Sequence, residues 1–260
     1  MSSSQTDSVA IRRTPARADV GLLEGLDLHA QYHSTRTGGD FFDALAVGSR
    51  VIFFLTDIAG SRQVADPIAA AAQDKFRQFA AEFFDAEDTN LMDSTALLVQ
   101  EINRALIGAS GAQHFAPTFV GCYDLQLGVL AYINAGGLTA ILRDADGTRA
   151  LPNVAVPMGL FSHFTYEPSM QAFEPGAGLL IVTKGVVESS HCTEPFGAER
   201  VSQILRESQG KSAAAICQTT LDAAYGFREL PWYSPRRLGW HRDAVIDDLT
   251  ALAMMRDSAQ

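Results

Sequence analysis

Val51-Ile52-Phe53-Phe54-Leu55-Thr56 is a run of apolar, β-branched and aromatic residues that ends in Asp57, and Leu179-Leu180-Ile181-Val182-Thr183 is a second run that ends in Lys184-Gly185. Both read as strands. The first carries a carboxylate at its end and the second an ammonium. Upstream, Leu28-His29-Ala30-Gln31-Tyr32 alternates like a strand before the turn signal Thr37-Gly38-Gly39, and a short loop is then expected to present Asp40 and Asp43. Downstream, Pro67 to Phe84 carries apolar residues at helical spacing, with Asp66-Pro67 as N-cap and first turn. Asp93-Ser94-Thr95 opens a second helix that ends near Gly108 and Gly111.

Strands follow over Thr118 to Leu125, Val129 to Asn134 and Thr139 to Arg143, separated by turn residues at Gln126-Leu127-Gly128, Gly136-Gly137 and Asp146-Gly147. Asp248 to Met255 is a further strand, and Glu199 to Leu205 and Ala213 to Ala224 are helical. Antiparallel hairpins with grouped helices predict α+β layers rather than a doubly wound parallel sheet. Gly226 to Asp243, with Trp232, Tyr233, Trp240 and Arg236-Arg237, reads as a long loop that covers the edge of a cleft or meets a partner.

The 260 residues are 47% hydrophobic, enough for one sizeable core. Residues 1–20 are expected to form a flexible tail rather than a sensory module, and residues 21–260 a single domain. A net charge of −10 argues against nucleic acid and acidic membrane surfaces as partners. Cys122, Cys192 and Cys217 are too few and too far apart for a disulfide framework or a zinc site. With no apolar span long enough for a bilayer and no signal-peptide pattern, the chain is expected to be cytoplasmic.

Seven short motifs occur in a telling order. They are Gly38-Gly39-Asp40-Phe41-Phe42-Asp43, Thr56-Asp57-Ile58-Ala59-Gly60, Tyr132-Ile133-Asn134-Ala135-Gly136, Pro157-Met158-Gly159-Leu160, Leu180-Ile181-Val182-Thr183-Lys184-Gly185, Phe196-Gly197 and Asp247-Asp248-Leu249-Thr250. Together they resemble the SpoIIE-like branch of the PPM (type 2C-like) metal-dependent serine/threonine protein phosphatases, from about Leu26 to Arg256. The resemblance implies two antiparallel sheets packed face to face as a sandwich, with helices on the outer faces and carboxylates converging at one edge. It also implies hydrolysis of phosphoserine or phosphothreonine esters with two Mn²⁺ or Mg²⁺ ions.

Such hard cations prefer oxygen ligands, which is why the chemistry needs carboxylates. By resemblance, Asp57 bridges the metals, Gly60 in the following turn supplies a carbonyl, Asp40 holds the second metal and Asp247 the first. Asp43 and Asp248 are expected as supporting groups. Arg36 is a candidate for gripping a substrate phosphate through a bidentate contact. The histidines show no ligand spacing.

Three positions depart from the family pattern. Where active relatives carry a metal-binding Asp, this chain has Lys184, and a protonated ammonium has no electron pair to give a metal. Lys184 is expected either to take the place and charge of the missing metal beside Asp57 and Asp247, or to point to solvent from a shifted strand end. Arg62 stands where a second turn glycine is usual, and Gly137 where a histidine is usual. Two functions are therefore open: a pseudophosphatase that binds a regulatory protein partner, or an active Mn²⁺/Mg²⁺-dependent phosphatase acting on a bacterial regulatory phosphoprotein.

Overall fold

A computed structural model describes residues 24–33, 39–154, 156–191, 194–228 and 248–257. In chain order these form β1 (Leu26–His33), β2 (Asp40–Val47), β3 (Arg50–Asp57), α1 (Arg62–Phe83), α2 (Leu91–Ser110), β4 (Thr118–Asp124), β5 (Val129–Ala135) and β6 (Thr139–Asp144). There follow β7 (Gly147–Ala150), β8 (Ser169–Ala172), β9 (Gly178–Val182), α3 (Lys184–Val187), β10 (Ser190–His191), β11 (Glu194–Pro195), α4 (Gly197–Arg206), α5 (Ala213–Arg228) and β12 (Leu249–Arg256). One antiparallel sheet has the strand order β1-β12-β9-β6-β7 and the other β2-β3-β4-β5-β8.

Alternation along the strands sorts side chains into three cores. Phe42, Phe53 and Leu55 point between the sheets, where they meet Phe119, Tyr132, Leu179, Ile181, Leu252 and Met254. Their neighbours Phe41 and Phe54 point the other way, into a core with Phe76 of α1 and Leu98 and Ile102 of α2. The Phe54 and Phe76 ring centroids lie 4.7 Å apart. On the far side, Leu180, Val182 and Ala251 pack under Val201 and Leu205 of α4 and Ile216 and Leu221 of α5. Each sheet is thus buried on both faces, which explains the near-continuous apolar runs of β3 and β9. The sandwich with outer helices is the α+β architecture predicted above.

Helix starts differ from the sequence reading. Helix α1 begins at Arg62, with Pro67 inside it. The backbone N–H groups of Val64 and Ala65 both donate to Ser61 O at 2.9 Å, so the first turn closes before the proline is reached. Pro67, the sixth residue of the helix, lacks an N–H for the carbonyl of Gln63, one intrahelical bond that the 22-residue helix forgoes. Helix α2 begins at Leu91, because Asn90 rather than Asp93 is the cap. Its side chain accepts from Met92 N and Asp93 N at 3.1 and 3.3 Å. Gly111, in the left-handed region with φ +62°, ends that helix as expected.

At the end of β3 remote from Asp57, Arg50 is buried. Its Nε donates to Asp124 Oδ2 at 2.9 Å, and its other nitrogens donate to Phe84 O, Ala86 O and Glu87 O at 2.8, 2.6 and 2.9 Å. One guanidinium thus fixes the α1–α2 connection to the sheet. No helix among the described residues is long and apolar enough to cross a membrane.

Candidate metal centre

Strand register brings two carboxylates together. Asp40, the first residue of β2, stands directly opposite Asp57, the last residue of β3. Directly paired residues of an antiparallel ladder share a face with Cβ atoms about 4.5–5.5 Å apart, and like charges there repel. Both residues keep step with Phe42, Phe53 and Leu55, so they lie at the end of the core between the sheets. Asp40 is buried and Asp57 partly exposed.

Asp40 is held from the opposite sheet. Thr183 Oγ1, just past β9, donates to Asp40 Oδ2 at 2.7 Å, and Thr250 Oγ1 of β12 donates to the same oxygen at 2.5 Å. Asp248 is buried nearby, its Oδ2 accepting from Tyr32 OH and Gly39 N at 3.0 Å each. Burial, and next the charge of Asp57, push the Asp40 carboxyl well above its ordinary range. The two threonine hydroxyls pull it back in part, and Asp248 adds a smaller upward push. The two acids therefore repel each other across the ladder.

The turn after Asp57 is anchored on all sides. Asp57 N donates to Pro117 O at 2.9 Å, Ile58 N to Gly39 O at 2.9 Å and Ala59 N to Phe115 O at 3.1 Å. His114 Nδ1, 2.8 Å from Ala59 O, donates to that carbonyl. Gly60 has φ +142°, which favours glycine. Gly39 is required by close approach, since a Cβ there would lie 2.2 Å from Ile58 O. Gly39→Ala is therefore expected to cost about 1–3 kcal/mol in urea unfolding. It should also weaken Mn²⁺ binding, because Asp40 moves with the displaced backbone.

The family model for Stage II sporulation protein E (SpoIIE) matches residues 48–256. The chain belongs to this family. Protein IcfG of Synechocystis sp. is 24% identical over 205 residues, covering 70% of this chain and 32% of that protein. The structure of the RsbU and RsbW domains of Rv1364c from Mycobacterium tuberculosis superposes with a TM-score of 0.68 at 22% identity, covering 93% of this chain and 64% of that one. RsbX in complex with magnesium superposes with a TM-score of 0.64 at 17% identity, covering 91% of this chain and 98% of that one. At these identities the likeness to the solved structures is one of fold. The chain spans about a third of the length of IcfG and under two thirds of the Rv1364c chain.

Against the SpoIIE pattern, the expected site residues fare differently. Asp40 and Asp43 lie on a strand, not in a loop, and three residues along a strand reverse the face. Asp43 therefore points at α1, where Arg77 donates to both its oxygens at 2.6 and 3.0 Å and Gln73 Nε2 donates at 2.8 Å. It supports the helix rather than the carboxylate pair. Lys184 does not reach Asp57. It opens α3, its side chain is 59% exposed, and its Nζ lies 3.4 Å from Glu188 Oε1 one turn on. The chain coils into a helix immediately after Thr183, which carries the ammonium out of the cleft. Arg62 is exposed at the first position of α1. Gly137 has φ +77°, and a Cβ there would meet the Asn153 side chain at an ordinary 3.7 Å. Arg36, Asp247 and residues 229–243 of the aromatic stretch lie outside the described residues, and Gly226 to Arg228 end α5.

Among the described residues no three His, Cys, Asp or Glu side chains gather into a metal-binding cluster. Asp40 and Asp57 nevertheless suit one hard divalent cation. Mg²⁺ in particular is commonly held by one or two carboxylates while keeping several waters, and a cation would offset the repulsion between the two acids. The sequence reading assigned no role to Thr183 and Thr250, although both stand in quoted motifs. Their step with the inward-facing residues, Thr183 just past β9 with Leu179 and Ile181 and Thr250 on β12 with Leu252 and Met254, was the available signal.

Proposed function

We propose that this SpoIIE-family domain is a degenerate phosphoprotein phosphatase with little or no turnover, kept for binding a phosphoprotein or regulatory protein partner. Asp57 and Asp40 would hold one Mn²⁺ or Mg²⁺, assisted by the Gly60 carbonyl and Asp247. A bound divalent ion supplies charge neutralisation and a more acidic water. Arg36 would grip the phosphate, and Arg62 adds positive charge at the mouth. The observation that carries this reading is Lys184: it stands where the resemblance calls for a ligand carboxylate and turns away to Glu188. The site is thus short of one acid without gaining an ammonium in its place. Buried, free Cys122 and Cys217 support a reducing, cytoplasmic setting, and residues 21–260 would form one domain.

The test is hydrolysis of p-nitrophenyl phosphate and a phosphoserine peptide, with and without Mn²⁺, by the parent and by Lys184→Asp. The parent is expected near background. Lys184→Asp should gain Mn²⁺-dependent turnover by at least the roughly 10- to 100-fold that partners of metal ligands are worth. Robust metal-dependent turnover by the parent would instead establish the active phosphatase, a reading that the retained Asp40–Asp57 pair favours.

A further inference from the structure

We infer that Thr183 and Thr250 are positioning residues for cation binding: brought from the opposite sheet, their hydroxyls hold Oδ2 of Asp40 and leave its other oxygen for the metal. This rests on the proposed cation at Asp40 and Asp57. Both threonines are fully buried. Thr183 Oγ1 accepts the backbone N–H of Thr250 at 3.2 Å, so its single hydrogen is committed to the 2.7 Å bond with Asp40. Thr183 N in turn donates to Thr250 O at 3.1 Å, which locks the two residues side by side. The Thr250 hydroxyl completes the grip at 2.5 Å.

A carboxylate turns freely about its last torsion, which has broad minima. Two donors on one oxygen remove that freedom, and no hydrogen bond from the described residues falls on Oδ1. Hydrogen-bonded partners of metal-binding carboxylates commonly set metal affinity in this way. The alternative is that the hydroxyls merely satisfy a buried acid, in which case they matter for folding and not for the metal.

Valine keeps the shape of threonine and removes its hydroxyl, whereas serine keeps the hydroxyl. Mn²⁺ affinity measured by titration calorimetry is expected to fall about 10-fold in Thr250→Val or Thr183→Val and about 100-fold in the double variant. Thr250→Ser and Thr183→Ser should stay close to the parent. Circular dichroism melts without metal report folding separately, and the single variants decide the matter if the double variant does not fold. Folded valine variants that bind Mn²⁺ as the parent does would overturn the positioning role alone. A parent that binds no Mn²⁺ would overturn the cation reading and this inference with it.

Discussion

Mn²⁺ at about 100 times its dissociation constant is expected to stabilise the parent by about 2.7 kcal/mol, a rise in Tm of roughly 5–10 °C, and Asp57→Asn should abolish that rise. Without metal the same substitution should act in the opposite direction and raise the Tm. The two effects share one cause. Asp57 faces Asp40 directly across the β2–β3 ladder, so the two charges repel unless a cation stands between them.

The pH dependence follows from the raised Asp40 carboxyl. Between the ordinary aspartate value and the raised folded value, the folded state keeps a proton that the unfolded chain has released. Stability without metal therefore falls as pH rises through that window, and the full penalty remains above it. Asp57→Asn lowers the upper edge of the window by removing a repelling charge, and Mn²⁺ flattens the dependence by favouring the ionised form. Melts from about pH 4 to pH 8, in EDTA and in Mn²⁺, check each statement. Identical curves for parent and variant would contradict all of them.

Arg50→Ala is expected to lower the unfolding free energy by about 3–5 kcal/mol, because it strands the buried Asp124 carboxylate and the carbonyls of Phe84, Ala86 and Glu87. Asp124 would keep its bonds from Gln126 N and Leu127 N, which limits the loss but does not replace a cation. Adding Asp124→Asn should restore part of the stability, since the penalty comes mainly from an unpaired charge. Arg50 and Asp57 occupy opposite ends of β3. Folded Arg50→Ala should therefore bind Mn²⁺ like the parent, which separates damage to the scaffold from damage to the site. Urea unfolding gives the first quantity and calorimetry the second.

Much of this architecture was legible in the residues. Val51 to Thr56 and Leu179 to Thr183 announced buried strands by composition, and the turn glycines separated the hairpins. Local rules failed where an adjacent segment overrode them. Pro67 suggested a helix start, but the first turn had already closed on Ser61 O. The fate of Asp43 depended on Gly39-Asp40 belonging to a strand, after which alternation sends it to Arg77. Lys184 could be placed only once the chain was seen to coil directly after Thr183. The hydroxyl grip on Asp40 joins residues 143 and 210 positions apart, a pairing that periodicity cannot show.

That grip also means that neither sheet alone would own the proposed cation seat. Its two acids grow from one half of the sandwich, and the hydroxyls that steady one of them grow from the other. A fragment keeping β2 to β5 with α1 and α2 would carry both acids yet leave Asp40 unbraced. Affinity for the proposed cation would therefore report on whether the two halves are correctly joined, as well as on the acids themselves.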